Sequence, residues 1–155
     1  MTTLTTDSTA RPVMALTVRA LRRLESVPYW LLALPLRLAV ATVFWNSATS
    51  KLVNWNTTIK LFTEEYKVPV LPPEIAAYMA ASIELTTPVL LVLGLATRPA
   101  ALVLLGMTTV IEIFVYPQAW PTHIQWAAML LVLLCRGPGR LSFDHLVRRW
   151  FDAAR

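Results

Sequence analysis

Four long apolar runs dominate this chain, over residues 29–53, 73–95, 99–116 and 122–135, and the breaks between them are too short to hold a second domain. A run of ~20 apolar residues matches the ~30 Å hydrocarbon core of a bilayer. Inside lipid each segment must satisfy its own backbone N–H and C=O groups, which a helix does. The expected fold is therefore all-α: an integral membrane four-helix bundle, running up-down-up-down. Of the 155 residues 56% are hydrophobic and 15% charged, so a water-facing surface for a soluble domain is hard to assemble.

The organisation follows from the runs. Residues 1–28 form a cytoplasmic N-terminal arm, polar and disordered over 1–12; no cleaved leader is expected, because the first ten residues are Thr-rich rather than apolar. From Val13 to Val27 apolar residues recur at helical spacing beside Arg19, Arg22 and Arg23, the pattern of a helix lying on a membrane surface. Residues 29–136 hold the four spans. In the first outer loop Ile59, Phe62 and Tyr66 are spaced for a short amphipathic helix at the interface. The fourth run is short, ~21 Å at 1.5 Å per residue. Residues 137–155 form a cytoplasmic amphipathic helix, with Phe143, Leu146, Val147, Trp150 and Phe151 on one face and Ser142 as its cap.

Orientation follows from the cations that flank the spans, since Lys and Arg are retained on the cytoplasmic side. One set of flanks carries ten, Arg11, Arg19, Arg22, Arg23, Arg98, Arg136, Arg140, Arg148, Arg149 and Arg155, and the opposite set carries Lys60 and Lys67. Both termini are expected inside, in a bacterial inner (plasma) membrane. The net charge of +5 sits beside apolar runs, which fits an anionic lipid surface and not nucleic acid.

Four ionisable residues fall within the spans: Arg37, Lys51, Glu84 and Glu112. A charge in mid-membrane costs about 2.5 to over 10 kcal/mol, so these should face inward and pair. Counting from the cytoplasmic end of each span places Arg37 ~12 Å deep and Glu84 ~17 Å deep, which predicts an Arg37–Glu84 pair. Glu112 falls ~20 Å deep, near Asn46 at ~26 Å and below Lys51 at ~33 Å, so Lys51 reaches inward or a water bridges. Asn46 and Ser47 are expected to bond between helices. Thr87, Thr109 and Tyr116 extend the polar core, with Tyr116 and His123 at the mouth of a pocket. Two readings stay open: a polar pocket facing the outer leaflet, with Glu84 or Glu112 carrying a proton or touching a quinone-like head group, or a buried electrostatic staple that fixes helix register.

Several chemistries are disfavoured. Cys135 is the only cysteine, so there is no internal disulfide and no multi-cysteine metal site within one chain. His123 and His145 lie on opposite sides of the bilayer and cannot jointly hold a haem. No metal ligand set is assigned, no cofactor motif is evident, and no residue is given a catalytic role.

The order of Arg37, Ser50-Lys51, Glu84-Leu85, Gly94-Leu95-Ala96-Thr97-Arg98 and Gly137-Pro138-Gly139-Arg140-Leu141-Ser142-Phe143-Asp144 resembles the DoxX family over roughly residues 30–146. The resemblance implies a small four-helix bacterial inner-membrane protein, in a family named for a subunit linked to quinol oxidation and thiosulfate-quinone oxidoreduction. It implies a redox-associated membrane subunit that serves a redox or detoxification partner, membrane-bound or soluble, or a second copy of itself, with quinone as the cofactor to look for. Glu65-Tyr66-Lys67-Val68-Pro69 and Trp120-Pro121-Thr122-His123 are also similar to a subgroup encoded beside metal-peptide (bufferin-type) biosynthesis proteins. The alternative is thus a non-enzymatic anchor or small permeation component for such a peptide.

Overall fold

In the computed structural model residues 10–153 are described, with side chains from Met14 on. The expected disordered arm falls mostly outside the described residues, as do the side chains of Arg11 and Arg155. Among the described residues there are seven α-helices and no strand: α1 (Ala10–Glu25), α2 (Tyr29–Val53), α3 (Trp55–Leu61), α4 (Pro73–Leu93), α5 (Thr97–Val110), α6 (Trp120–Arg136) and α7 (Phe143–Ala153). Two π-helical turns, Phe62–Tyr66 and Ile111–Val115, prolong α3 and α5. Three helical segments are long and apolar enough to cross a membrane: Tyr29–Val53, Pro73–Leu93 and Thr97–Val115. With 17 residues, α6 is ~25 Å long, three residues longer than the run read from the sequence.

The boundaries have local causes. Pro73 opens α4 at its first turn, where a missing N–H costs nothing. Gly94 closes it at φ +67°, with the Leu95 amide donating to the Leu90 carbonyl and the Gly94 amide to that of Leu91, a left-handed C-cap. Asn54 caps α3 by accepting from the Thr57 amide at 3.1 Å. Ser142 caps α7, accepting from the His145 amide at 3.2 Å.

The four long helices close on one another, α2 on α4, α4 on α5, α5 on α6, and α6 back on α2. Their shared core is Val40, Ala41, Phe44, Leu91, Ala100, Ala101, Leu104, Leu130 and Leu133. Alanines at the seams bring the backbones close, the way helices associate where lipid removes the hydrophobic drive. Larger apolar side chains point outward, among them Leu38, Val89, Val92, Leu102, Val103, Leu131 and Val132. A soluble monomer would not expose such a belt, and a hydrocarbon solvent accepts it.

Both end helices are one-sided. Phe143, Leu146, Val147, Trp150 and Phe151 of α7 are exposed at i, i+3, i+4, i+7 and i+8, and Met14, Val18 and Leu21 of α1 repeat the pattern.

Candidate functional site

The α2–α4 seam sets the site. These helices run antiparallel with Arg37 level with Gly94 and Ser47 level with Glu84, so ten residues on each helix, ~15 Å, separate the two contacts. One turn beyond Ser47, Lys51 extends back along the helix and its Nζ donates to Glu84 Oε2 at 2.7 Å, Glu84 Oε1 at 2.9 Å and Ser47 Oγ at 2.7 Å. Ser47 Oγ in turn donates to Glu84 Oε1 at 3.2 Å. Glu84 is 1% exposed and Lys51 15%, so the ammonium has all three donors engaged on a carboxylate and a hydroxyl that water scarcely reaches.

A second acid–base pair faces it from the α5–α6 side. Glu112 lies in the π turn that ends α5, and its Oε2 contacts Nδ1 of His123 on the first turns of α6. Glu112 continues the face of the buried Leu104 and Thr108, and the Pro117–Ala119 turn brings His123 to it. His123 is 4% exposed and packs on the Trp126 ring at 5.0 Å, and Trp126 meets Phe44 edge-on at 5.7 Å.

Between the two pairs lies a cavity of about 570 Å³. Its polar groups come from Ser47, Lys51, Glu84, His123 and Tyr116; its walls are otherwise apolar, including Phe44, Phe62, Met79, Ile83, Met107 and Trp126. At its rim Tyr66 and Tyr116 stack edge-on at 5.6 Å, and the Tyr116 hydroxyl donates to Glu65 Oε1 at 2.8 Å. An apolar chamber with a few converging polar groups has the form of a small-molecule site.

The opposite end of the seam is a separate assembly. Arg37, 2% exposed, donates from Nη2 to the Leu141 carbonyl at 2.9 Å, in the loop between α6 and α7. The Asp144 carboxylate accepts from the Ala96 and Thr97 amides at 2.8 and 3.0 Å, capping α5, while its own amide donates to the Gly94 carbonyl at 3.0 Å. Tyr29 donates to the Gly137 carbonyl at 2.7 Å and closes the loop from the other side.

The DoxX family model matches residues 32–117, more than half of the chain. The chain belongs to the DoxX family. With its three long apolar segments, it is a multi-pass membrane protein. No curated protein and no solved structure matches the chain.

In this DoxX protein the polar residues read from the sequence separate into two groups. Lys51, Glu84, Tyr116 and His123 line the cavity, with Glu112 behind His123. The expected Arg37–Glu84 pair does not form, because Arg37 is level with Gly94, about three turns from Glu84. Glu84 takes Lys51 instead, and so Lys51 does not reach Glu112, whose partner is His123. Asn46 is exposed, and Ser47 makes the interhelical bond. Thr87 and Thr109 bond only along their own helices, to the Ile83 and Leu105 carbonyls at 2.7 and 2.9 Å. Among the described residues no group of three or more His, Cys, Asp or Glu is placed to hold a metal ion. Sequence reasoning missed Trp126, Phe62 and Tyr66 as cavity walls; the aromatic clustering around the Pro117 turn was the available signal.

Proposed function

We propose that this DoxX protein is a redox-associated membrane subunit that binds a quinone-type head group in its cavity and serves a partner that moves the electrons. The observation that carries this reading is one 570 Å³ apolar chamber with Lys51–Glu84 on one wall and Glu112–His123 on another. The residues fit such a ring: His123, bonded to Glu112 through Nδ1, can face a ring oxygen with its other ring nitrogen, Lys51 held by Glu84 and Ser47 lines another wall, and Trp126 and Phe44 offer flat apolar walls. When bound, a quinone supplies the capacity to take up two electrons and two protons. His123 backed by Glu112 can hold or release a proton at the imidazole, and Glu84 holds the Lys51 side chain in place.

The proposal includes the topology. With α6 as a fourth crossing that starts in the interface, the chain runs up-down-up-down, α1, α3 and α7 lie on the bilayer surface, and both termini face the cytoplasm of a bacterial inner membrane. Residues 1–28, 29–136 and 137–155 then act as arm, bundle and terminal helix. A fluorescent-protein fusion at the C-terminus should glow and an alkaline-phosphatase fusion there should be silent; the opposite pair of results refutes the orientation.

Full-length protein purified in mild detergent should carry quinone in its organic extract, identified by mass spectrometry, and Glu84→Gln should reduce that quinone at least fivefold. Protein that carries none, even after incubation with excess quinone, overturns the reading. The alternative of an anchor or a small permeation unit, including one for a metal peptide, draws support from the uncovered apolar face of α7. A permeation unit would move solute in proteoliposomes of this chain alone, and an anchor would only retain a protein partner.

A further inference from the structure

At the end of the molecule opposite the quinone-type cavity, a second groove of about 630 Å³ opens where α2, α6, the α4–α5 turn and the start of α7 converge. Tyr29 and Trp30 form one side, and Arg98, Arg136, Arg140 and Arg148 converge on it. Arg136 lies over the Tyr29 ring at 5.0 Å, and Arg98 Nη2 donates to the Cys135 carbonyl at 3.3 Å, so these two guanidiniums are held in place with donors to spare. Among the described residues no carboxylate forms an ion pair with any of the four. The one carboxylate in the groove, Asp144, has one oxygen on the Ala96 amide and the other on the Thr97 amide.

Four arginines from four segments therefore focus on one concavity in which, among the described residues, Asp144 is the one carboxylate. The groove's wall residue Trp30 is followed along α2 by the exposed Leu31 and Leu32, at the level where an apolar surface meets water. A guanidinium fork matches phosphate oxygens two at a time. We infer that this groove binds the phosphate of an anionic phospholipid, with the acyl chains running along the apolar surface of α2. A lipid fits better than a free anion because exposed apolar residues of α2 follow directly on Trp30 at the wall of the cationic groove. Seated there, the lipid would tie α7 and the α4–α5 turn to the start of α2.

Native mass spectrometry of the full-length protein in detergent, titrated with phosphatidylglycerol or with phosphatidylcholine of the same chains, tests this. Phosphatidylglycerol should bind at least tenfold more tightly. Arg98→Gln/Arg140→Gln/Arg148→Gln should weaken it roughly a hundredfold, since each basic residue near a lipid surface adds to the attraction. Arg19→Gln/Arg22→Gln/Arg23→Gln on α1 should leave it unchanged, which separates the groove from general basic character. Equal affinity of the wild type for the two lipids overturns the inference without reference to any variant. Displacement of phosphatidylglycerol by millimolar inorganic phosphate also overturns it, in favour of a free-anion site. Because the groove shares no residue with the cavity, loss of lipid preference with quinone retained, or the reverse, tells the two proposals apart.

Discussion

Glu84→Leu is expected to destabilise the protein by about 3–5 kcal/mol, because removing one partner of a buried pair leaves the other charge uncompensated. Lys51 would keep only the Ser47 hydroxyl, in surroundings that water scarcely enters. Lys51→Met should also be costly, since Glu84 would then hold a single bond from Ser47. The double variant Lys51→Met/Glu84→Leu removes both charges and should fall within about 1 kcal/mol of wild type, the outcome when a buried pair is replaced by apolar side chains of similar size. Unfolding in mixed micelles, followed by helicity against the fraction of denaturing detergent, measures all three. A double variant as unstable as either single one would show that the pair is not a closed unit. The same double variant separates the two roles this pair can have. A folded protein that no longer binds quinone assigns the pair to the site, and one that binds it normally leaves the pair a staple of the α2–α4 register.

Much of the helical layout was legible in the sequence because lipid leaves a chain few options. The extent of α2 follows from an apolar run bounded by Pro28 and Asn54, and that of α4 from Pro73 at its start and Gly94 at its end. The pairing of charges was not legible, and the reason is geometric. Depth along each run predicts the pairing only if all runs begin in one plane. Yet Arg37, eight residues or ~12 Å into α2, is level with Gly94 at the end of α4. The α4–α5 turn thus sits more than two helical turns above the start of α2, and every α2–α4 pairing moves by that amount. The space beneath the turn is filled by the loop from Gly137 to Ser142, whose role no count of apolar residues reveals. The Glu112–His123 contact was hidden for another reason. Helical periodicity places Glu112 on the face of Thr108, and the short turn at Pro117–Ala119 brings His123 back onto that face, a contact between neighbouring helices that counting depth along the runs does not predict.

That loop makes Gly94 the position where the smallest change should have a large effect. Gly94→Ala is expected to cost about 2–4 kcal/mol, the sum of forcing a left-handed φ on a residue with a side chain and overpacking a filled site. At φ +67° a Cβ would overlap the Arg37 guanidinium and crowd both Cα and Cβ of Ser142, so neither a rotamer change nor a small shift of one side chain relieves it. Moving Ser142 would pull on the α7 cap and on Asp144, whose carboxylate holds the start of α5. Gly106→Ala is the internal comparison. Its new Cβ meets nothing within 4 Å, and exchanging glycine for alanine inside a helix stabilises by roughly 0.5–1 kcal/mol, so the same chemical change should act with the opposite sign. Thermal denaturation followed by size-exclusion chromatography in detergent reads both. Equal midpoints for the two variants would mean that the Gly137–Ser142 loop does not press against the α4–α5 turn. A low midpoint for Gly94→Ala that Ser142→Gly partly restores would locate the strain at that contact and not in the backbone angle alone.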